Sequence, residues 1–113
     1  WTIEHILPQG ERLPKEWIDM VGNGNPDRAV DCQQRLVHKI GNLTLTGFNA
    51  QLSNMSFDRK KNRTSRDDKP IGFNNGLHIN SYLFQLESWT GENIKSRTEH
   101  IVKDALDLFR LTK

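Results

Sequence analysis

The spacing of apolar positions changes period several times along the chain. Thr2-Ile3-Glu4-His5-Ile6-Leu7 alternates β-branched or apolar residues with polar ones and stops at Pro8. That pattern predicts a short strand ended by a turn, and regular pairing would send Glu4 and His5 to opposite faces. From Pro14 to Val21 the apolar Trp17, Ile18 and Val21 recur at helical spacing before Gly22-Asn23-Gly24, predicting a short helix closed by a loop. Asn25-Pro26-Asp27 supplies a side-chain cap, a fixed φ in the first turn and an acid at the positive end of the dipole. A second helix starts there, and its stripe of Ala29, Val30, Leu36, Val37 and Ile40 runs to Gly41. Asn42-Leu43-Thr44-Leu45-Thr46, bounded by Gly41 and Gly47, returns to period two and predicts a second strand. Phe48 to Lys61 is helix-compatible, with Leu52, Met55 and Phe57 facing inward.

Residues 62–75 are polar, rich in Lys, Arg, Asp and Asn, and hold Pro70 and Gly72, so a loop is expected. Leu77 to Leu86 predicts a short helix. Thr90 then caps a long one, whose Ile94, Ile101, Val102, Ala105, Leu108 and Phe109 share a broad face. Trp1, Trp17, Trp89, Phe48, Phe57, Phe73, Phe84 and Phe109 are expected as core or interface anchors. The order strand, helix, helix, strand and three helices describes an α+β fold with a two-stranded hairpin. Because such a ribbon is marginal alone, the helices must cover it.

Composition narrows the class. With 113 residues the chain is expected to be one domain. A mean hydropathy of -0.71 demands a small core and a polar surface. No apolar run approaches the roughly 20 residues that span a bilayer, so no membrane association is expected. The single Cys32 can form neither an internal disulfide nor a Cys-rich zinc site, and a reducing cytoplasm is the expected compartment. A net charge of +2 is too mild to imply nucleic acid by itself. The opening at Trp1, directly on a dense motif, suggests a domain cut from a longer protein.

Candidate chemistry begins with Glu4-His5. A carboxylate beside an imidazole is a minimal kit for metal-assisted hydrolysis, the oxygen taking a hard divalent cation and the neutral ring taking a proton from water. Asn42 and Asn49 could add amide oxygens, although Asn also forms turns and caps. Arg59, Lys60, Lys61, Arg63, Arg66 and Lys69 form a basic run, diluted by Asp58, Asp67 and Asp68. Such a run suits a phosphate backbone or a solvated loop.

Taken in order, Ile3-Glu4-His5-Ile6-Leu7-Pro8-Gln9, His38-Lys39-Ile40-Gly41-Asn42-Leu43-Thr44-Leu45, Asn49 and Asn54-Met55-Ser56-Phe57-Asp58-Arg59-Lys60-Lys61 resemble the HNH-type nuclease domain at the C-terminus of GmrSD-like restriction proteins. In the tail, Trp89, Ile94 and Arg97 match the family's late Trp-to-Arg helix. The resemblance implies a ββα-metal core in residues 1–61, a basic loop in 62–76 and a helical tail in 77–113. It implies His5 as general base, Glu4 as metal ligand and Asn42 as the residue that holds the base-bearing segment. Asn49 would complete the metal site, with Asn54 its rival because the interval from Asn42 to Asn49 is short. Glu4 stands where Asp is common, and no Cys pairs are present to bind structural zinc. Mg²⁺ or Mn²⁺ is the implied cofactor. DNA is the implied substrate, and an N-terminal domain of the same protein the implied partner. His38, Arg59, Lys60, Lys61, Arg63 and Arg66 are candidates for phosphate contact, with a positioning role favoured for His38. Two rival readings remain: a catalytically idle nucleic-acid-binding module and a structural interaction domain.

Overall fold

The computed structural model describes residues 2–46, 52, 55–64, 69–75 and 77–111. Its elements are β1 (Thr2–His5), α1 (Lys15–Gly22), α2 (Pro26–Leu36), a 3-10 turn (Ile40–Asn42), β2 (Leu43–Thr46), α3 (Phe57–Asn62), α4 (His78–Phe84) and α5 (Gly91–Leu111). The fold is α+β. β1 and β2 pair antiparallel with Thr2 opposite Thr46, Ile3 opposite Leu45, Glu4 opposite Thr44 and His5 opposite Leu43. Directly opposed residues share a face, so Glu4 lies with Thr2, Thr44 and Thr46, while His5 lies with Ile3, Leu43 and Leu45.

The local signals explain most boundaries. Asn25 Oδ1 accepts from the backbone N–H of Asp27 and of Arg28, as its cap position requires. α2 ends at Leu36, four residues short of the expected Ile40. There Asn42 takes Val37 O through its amide, and the chain turns into the 3-10 segment. Asn42 therefore lies in that turn and not at the head of the strand. Val30 and Ile40, expected in the stripe, are exposed, whereas Cys32 and Gln33 are buried. Gln33 Nε2 donates to Pro8 O and Gly10 O, fixing the segment after β1.

Of the expected helix from Phe48 to Lys61, only Phe57–Asn62 is helical among the described residues, and Ser56 caps it by accepting from Arg59 N–H. Leu52 and Phe57 are buried and Met55 packs against the core. The expected loop from Asn62 to Asn75 folds back on α3. Ile71 and Gly72 donate to Arg63 O, Phe73 to Lys60 O and Asn74 to Lys61 O, closing carbonyls that the short helix leaves open. Gly72 lies so close to Lys60 O that a Cβ there would collide with it. Ile71 and Phe73 thereby enter the core from a segment whose composition reads as solvent-facing.

Phe57 is the centre of an aromatic cluster. It stacks on Trp89 at a centroid distance of 5.8 Å and meets Trp17 at 6.5 Å and Phe73 at 6.2 Å. Ile6, Leu7, Leu36, Leu52, Leu83 and Ile94 surround it. Phe84 and Phe109, expected as anchors, are exposed. Trp1 and Phe48 lie outside the described residues. α5 also departs from expectation. Ile94 is fully buried, but Val102, Leu108 and Phe109 are exposed, because the helix runs 21 residues and only its first half packs on the 3-10 turn and α2.

That first half sits unusually close. Gly41 N–H donates to Thr98 Oγ1, and Thr98 in turn donates to Ile94 O. A Cβ at Gly41 would stand far inside contact distance of Ile94 O and Thr98 Oγ1. Gly41→Ala is accordingly expected to destabilise the fold by about 1–3 kcal/mol through overpacking. The exposed Val30→Ala should stay within about 0.5 kcal/mol. Urea denaturation of the two variants checks the contrast.

Candidate functional site

The site is built around the end of β1. Beyond His5 the chain leaves the ladder, and Ile6 N–H donates to Asn42 O at 2.8 Å. One residue on, Leu7 is held twice by a single side chain: its N–H donates to Asn42 Oδ1 at 2.8 Å, and its carbonyl accepts from Asn42 Nδ2 at 3.0 Å. Asn42 Nδ2 also donates to Val37 O, and Asn42 Oδ1 also accepts from Trp89 Nε1. Fully buried, this amide uses both oxygen lone pairs and both N–H groups. It joins the strand end that carries His5, the end of α2 and the aromatic core at one point.

Arg97 braces the other side of the same turn. Its guanidinium donates to Gly41 O, Leu43 O and Ile79 O. Burial pushes it down to about 10, with Tyr82 opposing the shift. Asn80 ties β2 to α4 through Thr44 Oγ1 and Leu45 O.

Glu4 and His5 diverge, as strand alternation requires. Glu4 Oε1 meets Lys60 Nζ at 3.0 Å. That ammonium, with its residue 0% exposed, also donates to His5 O at 2.8 Å and Ile6 O at 3.0 Å. It also lies 6.0 Å from the Trp17 ring centroid. Burial lowers the Lys60 pKa, against the attraction of Glu4 and their hydrogen bond. Lys61 is turned inward as well, donating to Leu86 O at 2.6 Å over the face of Phe57. Both lysines, expected on a phosphate-binding face, are structural here. Lys60 donates to two carbonyls and a carboxylate and Lys61 to one carbonyl, and both residues are buried. Arg59 is exposed and Arg63 half-buried, while Arg66 lies outside the described residues.

His5 sits on the opposite face, half-buried. Its Nε2 is 3.3 Å from Nδ1 of the exposed His38, with the rings edge to face at 79° and 5.3 Å apart. The segment carrying His38 is pinned on both sides, Lys39 N–H donating to Leu36 O and Asn42 N–H to Lys39 O. Burial lowers the His5 pKa below 6.5, reinforced by His38 and Lys60 and opposed by Glu4. The ring is therefore neutral near pH 7, the state in which it can accept a proton.

Asn49 and Asn54, the two candidates for the last site position, lie outside the described residues. Among the described residues no group of three or more His, Cys, Asp or Glu side chains converges. Glu4 offers one hard carboxylate oxygen beyond the one held by Lys60. That suits Mg²⁺ or Mn²⁺ in kind, because such ions are commonly held by one or two carboxylates with water and substrate phosphate filling the rest. Sequence reasoning missed the inward duty of Lys60 and Lys61, and the helical spacing that places Phe57, Lys60 and Lys61 on one side was the available signal. No helix of the described residues is long and apolar enough to cross a membrane.

Comparison with known families gives a match over residues 1–104 to the C-terminal domain of GmrSD restriction endonucleases. Neither the curated proteins nor the solved structures yield a match.

Two outcomes follow from the geometry. Asn42→Ala orphans Leu7 N–H and Trp89 Nε1–H together with two buried carbonyls, and the expected loss is on the order of 3–5 kcal/mol in denaturant unfolding. For His5, the folded protein binds the proton less tightly than the unfolded chain does. The stabilisation is fully present above pH 6.5 and is lost as pH falls through the lower folded value. An NMR titration should place His5 below 6.5, and urea midpoints should fall over the same range, less steeply in His5→Gln.

Proposed function

The chain belongs to the GmrSD restriction endonuclease family through its C-terminal domain, and from that footing we propose that it is an HNH-type, metal-dependent DNA endonuclease module. The membership ties it to restriction endonucleases. The observation that carries the finer reading is His5, neutral near pH 7 and held at a strand end by the Asn42 clamp.

On this reading His5 takes a proton from water, whose oxygen attacks the scissile phosphorus while the bond to the 3′ oxygen breaks. The leaving oxygen is then protonated from solvent, and His5 returns its proton to solvent. Asn42 fixes Ile6 and Leu7, so the ring cannot swing away with its backbone. Lys60 fixes the same segment from the opposite side and holds the Glu4 carboxylate. Glu4 would hold a Mg²⁺ or Mn²⁺ together with Asn49 or Asn54, and the ion would supply charge neutralisation on the phosphate and on the leaving oxygen. Arg59 is the exposed cation of α3 left to meet the backbone phosphates, with Arg63 and Arg66 following it in sequence. A preceding domain of the same protein would supply recognition.

Supercoiled plasmid with Mg²⁺ or Mn²⁺ is the direct test. Nicking is expected, abolished by EDTA and reduced by about 10²–10⁴-fold in His5→Ala, the usual cost of a lost general base. Salt-sensitive DNA binding without cleavage in any metal would instead identify an idle binding module.

A further inference from the structure

Two imidazoles meet at the strand end, and the nuclease reading gives only one of them a task. Their meeting is imposed by the framework. Asn42 ties down Leu7 beyond one ring and Val37 beside the other, so the separation of His5 and His38 is set by a buried amide. Between neutral imidazoles one nitrogen must donate and the other accept. If His38 Nδ1–H donated to His5 Nε2, the His5 proton would sit on Nδ1 and the ring would have no unshared lone pair for water. The opposite polarity leaves that lone pair on His5 Nδ1, to which no hydrogen bond is made among the described residues.

We propose that His38 is the positioning residue of His5: its Nδ1 accepts the Nε2–H of His5, which assigns Nδ1 of His5 as the nitrogen that takes the proton from water. This rests on the nuclease reading and names the polarity within it. When His5 accepts the proton it becomes an imidazolium, its Nε2–H still donated to neutral His38, and a hydrogen bond from a cation is stronger than one from a neutral ring. His38 thus keeps hold of the ring, and of its orientation, while Nδ1 takes the proton, without itself gaining or losing one. His38 is exposed and Val37 and Lys39 carry the local backbone bonds, so substitution of its ring leaves the packing intact.

Ring-nitrogen NMR of the whole chain, at a pH where both rings are neutral, reads the polarity without any turnover. Both residues are expected as the Nε2–H form, with His5 Nδ1 bare; a His5 Nδ1–H form overturns the proposal. In the plasmid assay His38→Leu is expected to lower kcat about 10²-fold at unchanged KM, the scale of a misaligned group. His38→Asn, whose amide oxygen can accept where Nδ1 did, should recover to within about 10-fold of the parent. Equal loss in the two variants, no loss in either, or a rise in KM alone would overturn it, the last marking a phosphate contact. Nicking that needs His5 but ignores His38 sinks only this inference. A parent chain that never nicks, with the expected NMR form, sinks the nuclease reading and leaves the hydrogen bond standing.

Discussion

Everything near the site depends on one buried amide. The Asn42 side chain makes four hydrogen bonds that reach three parts of the chain: the two to Leu7 continue the strand past its last ladder pair, the one to Val37 stops α2, and the one from Trp89 reaches the aromatic core. In a low-dielectric interior a polar group with every partner present is rigid, and one with a partner missing is costly. Beyond the last ladder pair at His5, packing alone would not fix where the chain runs. A fully satisfied amide sets both its distance and its direction.

Lys60 performs the complementary task with a charge. Its ammonium fills a pocket of three oxygens, from Glu4, His5 and Ile6, at the point where the ladder ends. Removing a cation from water is expensive and is tolerated only where ligands replace the lost hydration. The geometry therefore fixes the strand end from below while Asn42 fixes it from beside. α3 has only six residues, and the inward lysines with the returning loop give it the anchorage that its length does not.

How much of this was legible follows from what each signal measures. Periodicity located β1, α1, β2 and α5, and Asn25-Pro26-Asp27 located the start of α2, because these depend on neighbours in sequence. The end of α2 was misplaced since Asn42, six residues past Leu36, decides it through Val37. The basic run read as solvent-facing because composition does not record direction, whereas Lys60 and Lys61 reach across the molecule to oxygens far away in sequence. Glu4 and His5 were legible as candidates, and their divergence followed from strand alternation. The nearness of His38 to His5 was not, since it requires knowing that Asn42 joins the two segments. The apolar positions late in α5 obey helical spacing, yet spacing cannot say whether anything lies opposite them.

Gly41 carries an implication for how this chain can change. The turn that holds Asn42 lies against the backbone of α5, and Arg97 reaches back from that helix to Gly41 and Leu43. The tail is therefore part of the foundation of the hairpin rather than an appendage. A graft of the first sixty or so residues onto another scaffold would carry the histidines and leave behind the surface against which their turn is moulded. Recombination among relatives would have to exchange the two halves as a matched pair.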